Sequence, residues 1–147
     1  MRSRNRIEVI HGVNLDMLGR RPAIHYGNVT FDQLEQAIGE YAAALELTAR
    51  FFQTNHEGEL VEHLHRLEDL ADGIVINPGA WTHYSYAIRD ALEIAALPTV
   101  EVHLSDVQHR EEFRRTSVIS DVCIATVAGQ GVEGYRDALA RLEQELA

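Results

Sequence analysis

The fold is decided by residues 73–103: the apolar run Gly73, Ile74, Val75, Ile76; the polar break Asn77-Pro-Gly-Ala-Trp-Thr-His83; Ala87, Ala91 and Leu92 at helical spacing; and a second run over residues 99–102. A short β-branched run without polar alternation reads as a strand buried on both faces. Run, loop, helix and run make one strand–crossover–strand unit, and such units are right-handed. The same rhythm continues outward on both sides. Further runs lie at residues 7–10, 49–52 and 122–127. Between and after them, helical spacing recurs at Phe31, Leu34, Ile38, Tyr41 and Leu45, at Leu60, Leu64 and Leu67, and at Tyr135, Leu139, Leu142 and Leu146. Thr30 with Gln33 and Ser105 with Gln108 fit the capping box that opens a helix. Alternating strands and helices predict an α/β protein whose parallel sheet carries helices on both faces.

A length of 147 residues allows one domain, residues 1–147, with residues 1–6 expected as a frayed end because Arg2, Arg4 and Arg6 form a short solvated cluster. A net charge of −10 opposes nucleic acid and anionic membrane surfaces as partners. No apolar stretch approaches the roughly 20 residues of a membrane span and no signal-peptide segment follows Arg6, so a cytoplasmic location is expected. The one cysteine, Cys123, excludes internal disulfides and thiolate-rich metal sites, and inside the run at 122–127 it reads as a core thiol. All 13 basic residues are arginine, which excludes imine chemistry through lysine, pyridoxal phosphate anchoring and a Walker-type phosphate loop.

In open α/β sheets, ligands bind beyond the carboxyl ends of the strands. Those ends carry His11-Gly-Val-Asn14, Gln53-Thr-Asn-His56, Asn77 to His83, Glu101-Val-His103-Leu-Ser105 and Gly129-Gln-Gly131. Amides, imidazoles and hydroxyls with few carboxylates suit a small hydroxyl-rich or anionic molecule better than a divalent metal. The long loop at 13–29 carries Arg20, Arg21, His25 and Tyr26 between Gly19 and Gly27 and reads as a lid. Glu101 and His103, two apart in a strand, share a face, which fits either a general acid oriented by a carboxylate or a surface ion pair. Arg110 and Arg114, one helical turn apart, fit either an anion or diol clamp or, beside Glu111 and Arg115, a solvated salt-bridged face. Gly129, Gly131 and Gly134 match a dinucleotide fingerprint, but no later strand supplies the ribose-binding acid, and a packing turn is the simpler reading. His63 and His65 point to different helix faces and form no ligand pair.

Together the strand-end segments resemble type II 3-dehydroquinate dehydratase over nearly the whole chain. The resemblance is carried by Gly12, Asn14, Leu15, Leu18-Gly19, Arg21 and Tyr26-Gly27, then Asn55-His-Glu-Gly-Glu-Leu60, Ile76-Asn-Pro-Gly-Ala80, Thr82-His83, Ala87-Ile-Arg-Asp-Ala91, Val100-Glu-Val-His-Leu-Ser105 and Arg110-Glu-Glu-Phe-Arg114. It implies a flavodoxin-like five-stranded sheet of order 2-1-3-4-5. It also implies a cofactor-free, metal-free elimination of water from 3-dehydroquinate to 3-dehydroshikimate, in the shikimate or quinate pathway. In this likeness Tyr26 is the base that removes a proton beside the ketone and Arg21 keeps it ionised. Asn14 stabilises the enolate through an ordered water, and His103, oriented by Glu101, protonates the departing hydroxyl. Asn77, His83 and Arg114 match contacts to ring hydroxyls, and the backbone amides of Leu104 and Ser105, at a helix start, match the carboxylate site, as helix N-termini favour anions. Asp90 matches a residue contributed by a neighbouring subunit, in a dodecamer built from trimers.

The sequence departs from that pattern at His11, Val13, Asp16, Pro22, Tyr84, Tyr86 and Asp106, none of which is a residue assigned to chemistry. Pro22 restricts Arg21 before it, and an acid at Asp106 adds repulsion near an anionic substrate. The alternative from a different class is a flavodoxin-like binding module, or an inactive paralogue that keeps a polyol-acid pocket. A third reading, a nucleotide-binding domain using Gly129 to Gly134, would show as tight mononucleotide binding.

Overall fold

The computed structural model describes residues 3–147. Its five strands, β1 (Arg6–His11), β2 (Thr48–Gln53), β3 (Gly73–Asn77), β4 (Thr99–His103) and β5 (Ala125–Ala128), pair in parallel in the order β2-β1-β3-β4-β5. This is the flavodoxin-like order. A one-turn helix α1 (Ala23–Tyr26) precedes α2 (Phe31–Ala44), and α3 (Glu57–His65), α4 (Tyr86–Ala95) and α5 (Glu133–Leu146) follow. Every residue of β3 and β4 is buried, as a central parallel strand covered on both faces requires. Alternate side chains feed two cores. Val9, Val75 and Val100 pack under Leu34 and Ile38 of α2 and Leu139 and Leu142 of α5, while Ile10, Ile74 and Ile76 pack under Leu60 of α3 and Ile88 and Leu92 of α4.

The predicted capping box opens α2. Thr30 Oγ1 accepts from the Gln33 amide at 3.2 Å, and Gln33 Oε1 accepts from the Thr30 amide at 3.0 Å. At the adjacent ends of β1 and β3 only a glycine fits. A Cβ on Gly12 would stand 2.3 Å from the Pro78 carbonyl oxygen, so the two strand-end loops run in contact. The Gly12 amide donates to the Asn77 carbonyl at 2.7 Å, which locks that approach.

Four expectations are corrected. The fifth strand starts at Ala125, because Ser120–Val122 close a 3-10 turn, and Cys123 lies in the connection, partly buried against the α3/α4 core. Burial pushes the Cys123 thiol up to about 12, so it stays protonated as a core thiol would. Asp106, not Ser105, caps the segment after β4, which is a three-residue 3-10 turn (Val107–His109). Arg110 and Arg114 share no helix, since Arg110 ends that turn and Arg114 sits in a second one, Glu112–Arg115. Finally, the chain start is tied down where it is described. Arg6 opens β1 with its guanidinium on Asp72, and Arg4 donates to the Leu146 carbonyl; Arg2 lies outside the described residues. Of the glycines after β5, Gly134 packs tightly under Val127, as a packing turn requires.

Candidate active site

The sheet order reverses between β1 and β3: the chain leaves β1 through α2 toward β2, and leaves β3 through α4 on the opposite face toward β4. A pocket opens at this switch point, beyond the carboxyl ends of the strands. Asn14, Arg21 and Tyr26 reach it from the first loop, Asn77 from the end of β3, His83 from the 3-10 turn Gly79–His83, and His103, Leu104 and Ser105 from the end of β4. Arg114 lines it as well. Glu101 lies one layer behind His103, and Asp90 stands on the exposed side of α4, away from this pocket.

The lid places its two key side chains by a single turn of helix. Pro22, with φ −55, occupies the N-cap of α1, and Gly27, with φ 73, ends it in a conformation other residues adopt with strain. Across that turn Arg21 Nη2 donates to the Tyr26 phenol oxygen at 2.7 Å, with its guanidinium carbon 3.9 Å from the ring centroid. Arg110 Nη1 donates to the same oxygen, also at 2.7 Å. Sequence reasoning did not single out Arg110 for this role, because the signal is a contact between residues 84 apart. Two cationic donors thus converge on one oxygen.

On the β4 side, His103 Nε2 lies 2.5 Å from Glu101 Oε2. Glu101 is fully buried and His103 nearly so, which removes the surface ion-pair reading. Three hydroxyls surround the carboxylate: Thr82 at 2.5 Å, Ser117 at 2.9 and 3.0 Å, and Thr126 at 3.3 Å. Burial alone would raise the Glu101 pKa, but the His103 contact and the Thr82 and Ser117 bonds outweigh it and hold the carboxyl below its ordinary range. His83 donates Nδ1–H to the Thr116 carbonyl at 2.7 Å. Burial, with His103 and Arg114 adding to it against that bond, holds its pKa down, so at neutral pH its other nitrogen is free to accept from a hydroxyl.

The first loop is braced from β2. Asn14 sits at φ 68, its amide donating to Asn55 Oδ1 at 2.8 Å, while Asn55 in turn reaches Asp16 and receives Gln53. Asp16 thus has a structural partner. Asp106 is likewise engaged, accepting from the Gln108 amide and lying 2.5 Å from His109 Nδ1. His11 is wholly buried, edge-on to Phe31 and 3.2 Å from Glu35.

A phenol oxygen held by two guanidinium groups and an imidazole backed by a carboxylate open into one pocket, an arrangement chemically able to move protons. The family model for class II dehydroquinases matches residues 5–143, and the chain belongs to that family. It is 53% identical over 131 residues to a 3-dehydroquinate dehydratase of Thermotoga neapolitana, covering 89% of each chain. A 3-dehydroquinate dehydratase of Caldicellulosiruptor saccharolyticus is 46% identical, covering 96% of this chain and 98% of its own. Among solved structures, the type II dehydroquinase of Butyrivibrio crossotus superposes with a TM-score of 0.91 at 44% identity, over 95% of this chain and 98% of that one. A 3-dehydroquinate dehydratase-like protein of Bifidobacterium longum stands further off, with a TM-score of 0.72 at 32% identity over 97% of this chain and 98% of that one.

Proposed function

We propose that the protein is a hydro-lyase that dehydrates 3-dehydroquinate to 3-dehydroshikimate in the shikimate pathway. The observation that carries this reading is the Tyr26 oxygen held between Arg21 and Arg110 in the pocket that His103 also faces. Tyr26 takes the proton beside the ketone, and the electron pair of that bond moves into an enolate. Asn14, through a bridging water, stabilises the enolate oxygen. The enolate then collapses to the ketone and forms the ring double bond as the carbon–oxygen bond breaks. The departing hydroxyl takes a proton from His103 and leaves as water. Asn77, His83 and Arg114 bind ring hydroxyls, and the Leu104 and Ser105 amides take the carboxylate. No lysine is present for an imine, and the described residues hold no group of three His, Cys, Asp or Glu fit for a metal, so we expect a cofactor-free reaction.

The experiment is absorbance of the conjugated enone after mixing the protein with 3-dehydroquinate. Turnover is expected to survive exhaustive chelation and dialysis. Activity lost with chelator and restored by a divalent ion would overturn the mechanism. A silent protein that still binds the substrate would leave the inactive paralogue.

The same reading makes the enzyme cytoplasmic and oligomeric, a dodecamer of trimers in which Asp90 reaches a neighbour's pocket. Tyr86, Asp90 and Ile94, four residues apart on α4, lie on one face, and Tyr84, Tyr86 and Ile94 are 59, 65 and 67% exposed. Large apolar side chains left open around one acid are what an interface between copies would cover. Trp81, the third aromatic of this segment, is buried in the core instead. Light scattering at assay concentration is expected to give a multimer mass. A fully active species of 16.5 kDa would remove the role of Asp90.

A further inference from the structure

We infer that Ser117 is a positioning residue: it sets the direction of the hydrogen bonds around Glu101, so that His103 is bound to Glu101 through Nε2–H and meets the substrate through Nδ1. The inference rests on the proposed acid role of His103 and extends it by one shell.

The argument is a count of donors and lone pairs. Ser117 Oγ accepts from the backbone N–H of Ile119 at 3.2 Å and of Ser120 at 3.1 Å. A serine hydroxyl has two lone pairs and one proton, so its remaining capacity is to donate. Glu101 Oε1 and Oε2, at 2.9 and 3.0 Å, are there to receive that proton. Thr82 Oγ1 lies 3.0 Å from Ser117 Oγ and 2.5 Å from Glu101 Oε2. With the Ser117 lone pairs occupied, the Thr82 proton also goes to Glu101. A protonated carboxyl would turn O–H against O–H here, so Glu101 is held as an acceptor-only carboxylate. His103 Nε2, 2.5 Å from it, must then carry a hydrogen.

Nδ1 is left for the pocket. In the acid step the Nδ1–H bond breaks, its proton joins the hydroxyl that departs with the carbon–oxygen electron pair, and the ring remains as the neutral Nε2–H tautomer. Two main-chain amides thereby fix which nitrogen of a catalytic imidazole delivers the proton. Nothing in the sequence marks Ser117, since its role depends on the turn that brings residues 119 and 120 back onto its oxygen.

The test combines ¹⁵N NMR of the histidine rings, with His103→Ala giving the assignment, and kinetics of Ser117→Ala and Ser117→Thr. In the unaltered enzyme, above the imidazole titration, His103 is expected as the Nε2–H tautomer. Ser117→Ala should lower kcat by about 10- to 100-fold, the equivalent of one charge-assisted hydrogen bond, with KM little changed and the acidic limb of the pH profile displaced. Ser117→Thr should restore most of the loss. In a His103→Ala background, Ser117→Ala should cost nothing further. An Nδ1–H tautomer in the unaltered enzyme overturns the inference, even where Ser117→Ala does not fold. So does a Ser117→Ala enzyme with unchanged kcat, or one equally impaired with and without His103. An unaltered enzyme that shows the Nε2–H tautomer but no turnover would sink the proposed reaction and leave the hydrogen-bond order standing.

Discussion

Tyr26→Phe is expected to abolish turnover while leaving substrate binding measurable. Phenylalanine keeps the ring under the Arg21 guanidinium, so the lid turn retains its packing and the cation–π contact. What disappears is the oxygen that Arg21 and Arg110 both approach at 2.7 Å. General bases contribute about 10² to 10⁴ in rate, and the loss should reach the top of that range, because no other side chain in the pocket presents an oxygen between two cations. Arg21→Ala leaves the Arg110 donor in place and should cost less than Tyr26→Phe. The double replacement of Arg21 and Arg110 by alanine should approach it. Steady-state assay with calorimetric binding of substrate to the Phe variant separates the two effects, and near-normal turnover by Tyr26→Phe would move the base elsewhere.

Periodicity carried most of the fold. Wherever a strand is central, as at residues 73–76 and 99–102, burial on both faces leaves an unbroken apolar run that the sequence displays directly. The edge is different. β5 is half exposed, so its start was obscured by the apolar Val122 and Cys123, which pack on the α3/α4 core ahead of the strand. Most of the expected pocket lining was legible because those residues sit at strand ends, where chain order and position in space coincide. The contact of Arg110 with Tyr26 and the place of Ser117 were not, for one physical reason. Each acts through a contact set by irregular backbone after β4, where short 3-10 turns replace the single helix that the spacing of Arg110 and Arg114 suggested. Hydrogen-bond direction around Glu101 depends on where two amides point, and side-chain identity alone does not encode that.

Replacing His103 with alanine is expected to cut turnover by about 10² to 10⁴, the range for loss of a general acid, because hydroxide is a poor leaving group without a proton. Glu101→Gln should cost less in rate, since the imidazole proton donor remains, although the new amide sets an NH₂ among groups that donate. Glu101→Gln should also part company with the unaltered enzyme on stability against pH. In the folded chain the Glu101 pKa lies below its ordinary value of 4.5, so the unfolded chain binds that proton first as the medium is acidified. The stabilisation from Glu101 is therefore complete above about 4.5 and is lost as pH falls toward the folded value. Unfolding midpoints measured across that window should fall steeply for the unaltered enzyme and more gently for Glu101→Gln, which has no carboxyl to protonate. If Glu101→Gln proves the more damaging change to turnover, then the carboxylate rather than the imidazole is the group on which the acid step depends, and if its unfolding midpoint falls as steeply with acid as before, Glu101 is not the group whose protonation weakens the fold.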